Sequence, residues 1–391
     1  MKKHNLFIVL FCFLFGSCST SDFSYRVFFW NWSGIDDYTK FPYRLITKSD
    51  NPFYFKNDTS YTLKFRQMLS KVTYKYKGAF HTEDLNLFLE QTQTTAFIII
   101  KDDHIIIEKY LNGYTRDSIN RSFSVAKSIT SLLIGIAIDK GFIKSIDDYI
   151  CAYLPELDKK KYGTVTIKHL LKMEAGWIYV DKGLPWDDDT HLYYESDVRQ
   201  YALSHLVSVH KSGSVFHYSN YCTVLLGMVL ERASKMSITD FTNMLFWSQI
   251  GSEFPATWSI SRKDDGLEQT ASGFNARAID FAKIGKLCLD NGMLNGERVV
   301  SSDWIQASTT PPIVPYGYFD NSGMGENIFY GYQWWGHTLN NDEYNYFASG
   351  HLGQLIYICP SKNIIICRFG KERGELNTGW HVIAKSICEL L

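Results

Sequence analysis

Arg121-Ser122-Phe123-Ser124-Val125-Ala126-Lys127-Ser128-Ile129-Thr130-Ser131-Leu132-Leu133-Ile134-Gly135-Ile136-Ala137-Ile138 is the stretch on which the fold turns. From Val125 onward its only charge is Lys127, and apolar residues cover every side of a helical wheel, the mark of a helix buried all round. A lysine inside such a helix demands a reason. Ser124 stands where the helix begins and Lys127 three positions on, so hydroxyl and amine project from one face within reach of each other. Burial disfavours an ammonium, and a neutral Lys127 can take the Ser124 proton and leave an alkoxide nucleophile. The bland alternative is a cap serine beside a snorkelling lysine. Ordinary usage supplies about two S-x-x-K matches in a chain this long. The second, Ser208-Val209-His210-Lys211, sits in a polar stretch that reads as solvated surface.

The N-terminus reads as a targeting segment. Lys2 and Lys3 precede an apolar run from Leu6 to Phe15, too short to span a bilayer, and then Gly16-Ser17-Cys18. Small residues before Cys18 look like a bacterial lipobox, so residues 1–17 are expected to be a lipoprotein signal peptide and Cys18 the lipidated mature N-terminus. The protein is then exported to the cell envelope and held on a membrane, facing the periplasm or the cell surface. With 40 basic against 41 acidic residues in 391, nothing suggests nucleic acid. Cys151, Cys222, Cys288, Cys359, Cys367 and Cys388 are scattered without a C-x-x-C, which favours buried thiols over a disulfide framework or zinc site; Cys359 and Cys367 are possible cross-strand neighbours. No cofactor or metal is implied.

Residues 18–80 read as a tether and peripheral extension and 81–391 as one catalytic domain. Glu83–Gln93 has helical spacing; Ala96–Ile100 and His104–Tyr110 flank a polar turn as a hairpin. The central helix ends near Gly141. A mostly helical subdomain occupies about 142–290, with an acidic and aromatic loop, Asp181–Tyr194, that holds Trp186, Asp187, Asp188, Asp189, Tyr193 and Tyr194. Strands are expected at Tyr330–Trp335, Tyr344–Ser349, Gln354–Cys359 and Ile364–Phe369, then a closing helix over Gly379–Leu390. The simplest packing is α+β: an antiparallel sheet built from both ends of the chain, flanked by N- and C-terminal helices, with the helical subdomain inserted. The Ser124 helix then lies at the junction, where clefts form.

Ser124-Val125-Ala126-Lys127, Tyr218-Ser219-Asn220 and Gly350-His351-Leu352-Gly353-Gln354, in that order, resemble the three signature motifs of the class C β-lactamase-like serine hydrolases. That family includes penicillin-binding proteins, D-amino-acid peptidases, carboxylesterases and 6-aminohexanoate oligomer hydrolases. The resemblance covers about residues 80–391 and implies the β-lactamase/transpeptidase-like fold. It implies Ser124 as nucleophile, Lys127 and Tyr218 as a shared proton system, Asn220, His351 and Gly353 in support, and the backbone N–H groups of Ser124 and Gln354 as an oxyanion hole. Glu174, the loop aspartates, Trp177, Trp186, Tyr193 and Tyr194 are candidates for substrate contact.

One departure bears on substrate. β-Lactamases and penicillin-binding proteins carry K-T-G where this chain has His351-Leu352-Gly353. A residue mostly neutral at pH 7 replaces a permanent cation, and a hydroxyl is gone. The reading is therefore a serine hydrolase that forms an acyl-enzyme on a small ester or amide, with weak or no β-lactamase activity. The alternatives are a D-alanyl peptidase or β-lactamase acting on peptidoglycan-like substrates, and a non-catalytic envelope binding module.

Overall fold

A computed structural model describes residues 23–30, 32–76, 79–315, 318–319, 322–339, 343–374 and 379–391; the signal run and Cys18 lie outside them. Seven strands form the main sheet: β1 (Thr94–Lys101), β2 (His104–Tyr110), β3 (Ile328–Tyr330), β4 (Trp335–Thr338), β5 (Tyr344–Gly350), β6 (Gln354–Cys359) and β7 (Ile364–Gly370). Their order is β3-β4-β5-β6-β7-β1-β2, antiparallel throughout. Both ends of the chain therefore meet inside one sheet, where Ile365 faces Ile100 and Cys367 faces Ile98. The β1–β2 turn uses Asp102 and Asp103, both at positive φ (48° and 63°), the backbone that matches the twist of a two-residue hairpin.

Five helices frame the sheet and the site: α1 (Leu85–Gln91), α2 (Val125–Asp139), α3 (Asn220–Ser234), α4 (Ala278–Leu289) and α5 (Trp380–Leu390). Strand alternation sorts them. Phe369 meets Phe281 of α4 at 4.6 Å between ring centroids, while its neighbour Arg368 lies under Trp380 of α5, 4.3 Å from the ring centroid. Phe88 of α1 joins Trp380 on that second face, so the two terminal helices cover one side together. On the other side α2 packs against β5, β6 and α3. Every residue of α2 from Val125 to Ala137 is buried, as the apolar wheel requires.

Two segments differ from the expected layout. Tyr330–Trp335 is not one strand. Gly331–Trp334 forms the turn between β3 and β4, closed by Gly331 N–H donating to Trp334 O at 2.8 Å, with Gln333 at φ 62°. A Cβ on Gly331 would sit 2.0 Å from the Ser308 carbonyl, and the Gln333 side chain bonds Leu170 O, Leu171 O and Thr223 Oγ1. Those contacts tie the sheet to the helical half and leave no room for an extended strand. Of residues 18–80, read from the sequence as tether and peripheral extension, the described ones include segments that pack on the body. Tyr43–Ile46 pairs with Ala256–Ser259 in a second sheet that also holds Phe274–Arg277 and Ile119–Arg121. Ile35 and Phe41 form a small apolar cluster with Phe123, Tyr193 and Tyr194.

The described cysteines are buried free thiols. Cys359 faces Ile364 and Cys367 faces Ile356, so the register sets those two apart. Among the described residues no helix is long and apolar enough to cross a membrane.

Burial of α2 on all sides makes a specific demand. Leu133→Ala is expected to cost about 2–5 kcal/mol in urea unfolding, the range for a fully enclosed leucine; a cost under about 1 kcal/mol would show an open face there.

Candidate active site

The approach to Ser124 is a sharp elbow. Ser122 N–H is held by Phe274 O at 2.9 Å, at the end of the second sheet. Phe123 then takes φ 44°, a left-handed conformation costing of order 1–3 kcal/mol for such a residue, and α2 begins. Packing sustains the strain. Phe123 sits in the cluster with Phe41, Tyr193 and Tyr194, and the guanidinium of the wholly buried Arg121 lies over the rings of Phe41, Phe123 and Tyr193 at 5.2–5.6 Å. Arg121 is fixed by Ser259 Oγ at 3.0 Å and Gln269 Oε1 at 2.8 Å.

Lys127 Nζ lies 2.9 Å from Ser124 Oγ and 3.0 Å from Ala271 O, with only 2% of the residue exposed. Burial lowers its pKa to about 7, against the opposing pull of Asp189 and Asp181. Tyr218 lies over the same amine, its ring centroid 5.1 Å from Nζ, and hydrogen-bonds Ser124. Burial pushes the phenol well above its usual value, with the Ser124 hydrogen bond opposing, so at neutral pH the amine gives up its proton far more readily than the phenol. Trp335 stacks on Tyr218 at 5.5 Å and Tyr330 meets it edge-on, which fixes the ring.

These groups open into a cavity of about 630 Å³. One wall is Phe123, Tyr193, Tyr194 and His351, and another is Tyr179, Asp181, Asp189 and Asn220. Val27, Phe28, Trp32 and Ser33 close it from the N-terminal segment. That segment is clamped: Arg26 donates to Tyr194 O at 3.0 Å, and Tyr193 OH donates to the buried Asp37 carboxylate at 2.7 Å. The His351 ring meets Phe123 edge-on at 5.3 Å; desolvation, then Arg373, holds its pKa below the usual imidazole value, so it is neutral at pH 7. Burial first, then Asp189 and Asp187, raise the Asp181 carboxyl. Among the described residues no cluster of His, Cys, Asp and Glu is arranged to hold a metal ion.

Ser124, Lys127, Tyr218, His351, Tyr193 and Tyr194 thus converge. The remaining expected residues do other things. Asn220 lines the cavity but hydrogen-bonds neither Lys127 nor Ser124: its Nδ2 donates to Asp189 Oδ1 at 2.5 Å, and its buried Oδ1 has no hydrogen-bond partner among the described residues. Gly353 makes room for protein rather than for a ligand, since a Cβ there would lie 2.4 Å from Trp380 Cδ1. The glycine of close approach to the site is Gly350, where a Cβ would lie 2.5 Å from Ser122 O and 3.1 Å from Ser124 N. The Gln354 N–H is directed to His351 O, and its side chain is occupied with the Gly370 backbone. Trp177 is core, edge-on to Tyr162 at 6.1 Å. Glu174 pairs with Lys172 at 2.7 Å and takes the Tyr318 hydroxyl, away from the cavity. Trp186 is 71% exposed on the outer loop. Asp187 and Asp188 brace that loop by accepting from Lys182 N, Leu184 N, Val180 N and Tyr221 OH, and only Asp189 of the three lines the cavity. Tyr179, Ser272 and the wall of Val27, Phe28, Trp32 and Ser33 were not anticipated; the aromatic residues Phe28 and Trp32 were the signal available in the sequence.

The sequence profile of the family described as Beta-lactamase matches residues 87–374. The chain belongs to the β-lactamase family. Members of this family are hydrolases, and this one is similar to a 6-aminohexanoate-dimer hydrolase of Paenarthrobacter ureafaciens, at 24% identity over 78% of this chain and 79% of that one. Among solved structures the family member resembles a putative 6-aminohexanoate-dimer hydrolase from Bacillus anthracis (TM-score 0.74, 22% identity, 94% of each chain). It also resembles EstCE1, a hydrolase with promiscuous acyltransferase activity (TM-score 0.61, 13% identity, 85% of this chain and 98% of that one). At these identities the two structures show the fold alone.

Two outcomes follow from this geometry. With Lys127 as the proton acceptor, kcat/KM for a neutral ester falls about tenfold per pH unit below an apparent pKa of about 7 and is flat above it, because only the neutral amine accepts a proton; the limb persists in His351→Ala. Gly350→Ala pushes on the backbone of the elbow and is expected to cut kcat by about tenfold or more, with the thermal midpoint lowered by only a few degrees.

Proposed function

We propose that this chain is a serine hydrolase that cleaves small linear esters and amides through an acyl-enzyme on Ser124, with a preference for acyl or leaving groups that carry a free amine. The observation that carries the reading is the enclosed Lys127 amine, its pKa lowered to about 7, lying 2.9 Å from the hydroxyl of Ser124, which itself lines an open cavity.

Ser124 Oγ attacks the substrate carbonyl as Lys127 takes its proton, and the carbonyl electrons move onto oxygen. Among the described residues the Ser124 N–H donates no backbone hydrogen bond, and we assign it to that oxyanion. The proton passes from Lys127, by way of the Tyr218 hydroxyl, to the departing amine or alcohol as the C–N or C–O bond breaks. Water then attacks the Ser124 ester and gives a proton to Lys127; the bond from Ser124 Oγ to the acyl carbon breaks, Ser124 Oγ takes that proton back from Lys127, and the acid leaves.

Two features support the substrate class. The described residues that line the cavity include Asp181 and Asp189 and no lysine or arginine, so they suit a cation. The relative named 6-aminohexanoate-dimer hydrolase is named for an amino-acid dimer, which in linear form carries an ammonium at one end and a carboxylate at the other at pH 7. The same wall disfavours the carboxylate of a β-lactam, as does the neutral His351 in place of a lysine.

The test is a substrate panel: the linear 6-aminohexanoate dimer, its N-acetylated form, a p-nitrophenyl ester and a cephalosporin. The amine-bearing dimer should be favoured over the acetylated one by about tenfold in kcat/KM, about 1.4 kcal/mol. Asp181→Asn should erase that ratio and change ester turnover by less than about twofold. Equal turnover of the two amides, or cephalosporin turnover above that of the ester, would sink the proposal.

A further inference from the structure

Phe28, Phe29 and Trp32 are 51%, 50% and 72% exposed, and across the cavity mouth Leu184 and Trp186 are 38% and 71% exposed. The two groups belong to one rim, because Val27, Phe28 and Trp32 on one side and Gly183 and Pro185 on the other line the same cavity. Large aromatics on adjoining loops in water cost solubility and need a purpose.

The rim is held firmly. The buried Arg26 anchors the short helix Phe23–Phe29 to Tyr194 O, Tyr25 stacks on Phe29 at 4.7 Å, and Trp30 packs edge-on to Phe41 at 4.8 Å. On the opposite side Asp187 binds Lys182 N and Leu184 N, which holds the loop that presents Leu184 and Trp186. The exposed rings are thus displayed by a fixed backbone rather than left over from a loose end.

We infer that this aromatic rim docks the cavity mouth onto the surface of a lipid bilayer. The chain outside the described residues supplies the argument for that occupant. It carries the apolar run Leu6–Phe15 and the candidate lipid attachment site Cys18, only five positions before Phe23. Five extended residues reach about 17 Å, so a lipid on Cys18 holds the rim against the membrane whatever path the linker takes. Tryptophan and phenylalanine suit the headgroup boundary, and the exposed rim residues Phe28, Phe29, Trp32, Leu184 and Trp186 carry no charge, so the attraction is apolar. Docked in this way, the cavity takes amphiphiles from the membrane face. The argument for the occupant rests on the lipid-anchor reading; the surface itself does not, and the experiment omits the anchor.

The chain from residue 19 holds every described element and lacks Cys18. Its flotation with phosphatidylcholine vesicles is compared with that of the triple variant Phe29→Ser, Leu184→Ser, Trp186→Ser, none of which lines the cavity. Wild type should float with the vesicles at low salt and equally at 0.5 M salt, and the triple variant should bind at least about tenfold more weakly. Turnover of a soluble p-nitrophenyl ester should match in the two proteins and so certify the fold. Failure of wild type to float, or equal flotation of both, overturns the inference. So does a light-scattering mass of two chains for wild type and one for the variant, which assigns the rim to a second copy. Loss of ester turnover in both proteins would instead count against the hydrolase reading.

Discussion

A lysine amine held inside a helix with no carboxylate on it is the constraint on which the rest depends. Lys127 is enclosed by α2, the Ala271 carbonyl and the Tyr218 ring, and its aspartate neighbours act only from across the cavity. An enclosed ammonium is expensive, and the cost appears as a depressed pKa. The fold holds this expense in place by burying α2 on every side, so the amine cannot swing out to water as a surface lysine would.

The surroundings each answer a need created by that amine. The strained Phe123 elbow aims Ser124 at it, and Arg121 stacked over Phe41, Phe123 and Tyr193 keeps the elbow bent. Gly350 lets the sheet edge pass against Ser122 and Ser124. The acidic loop, braced by Asp187 and Asp188, sets Asp189 where it binds Asn220 and Tyr179 and faces the cavity. The N-terminal segment then closes the wall through Arg26 and Asp37. Ser124, elbow, loop and N-terminal wall therefore form one packed unit.

Much of this was legible in the chain itself. The all-round apolar wheel of α2, the hairpin turn at Asp102-Asp103 and the three ordered motifs depend on local spacing, and the antiparallel sheet built from both ends followed from them. What escaped depended on contacts between distant segments. Nothing near Trp177 separates a core indole from a cleft indole; its packing on Tyr162 decides it. Gly353 and Gly350 look alike in sequence, and only Trp380 behind one and Ser122 behind the other distinguish them. Tyr330–Trp335 has strand composition, yet Gln333 is drawn into the helical half by three hydrogen-bond partners. The extension concealed its role because pairing of residues 43–46 with 256–259 has no local signature.

The central claim is that Ser124 is an activated nucleophile because Lys127 is enclosed beside it. Intact-protein mass spectrometry after exposure to a fluorophosphonate tests it most directly, on the chain from residue 19 and its Ser124→Ala and Lys127→Met variants. The account predicts one covalent adduct on wild type, none on Ser124→Ala, and labelling at least about a hundredfold slower on Lys127→Met with the fold intact by circular dichroism. An adduct that survives Ser124→Ala, or equal labelling rates with and without the Lys127 amine, would contradict it.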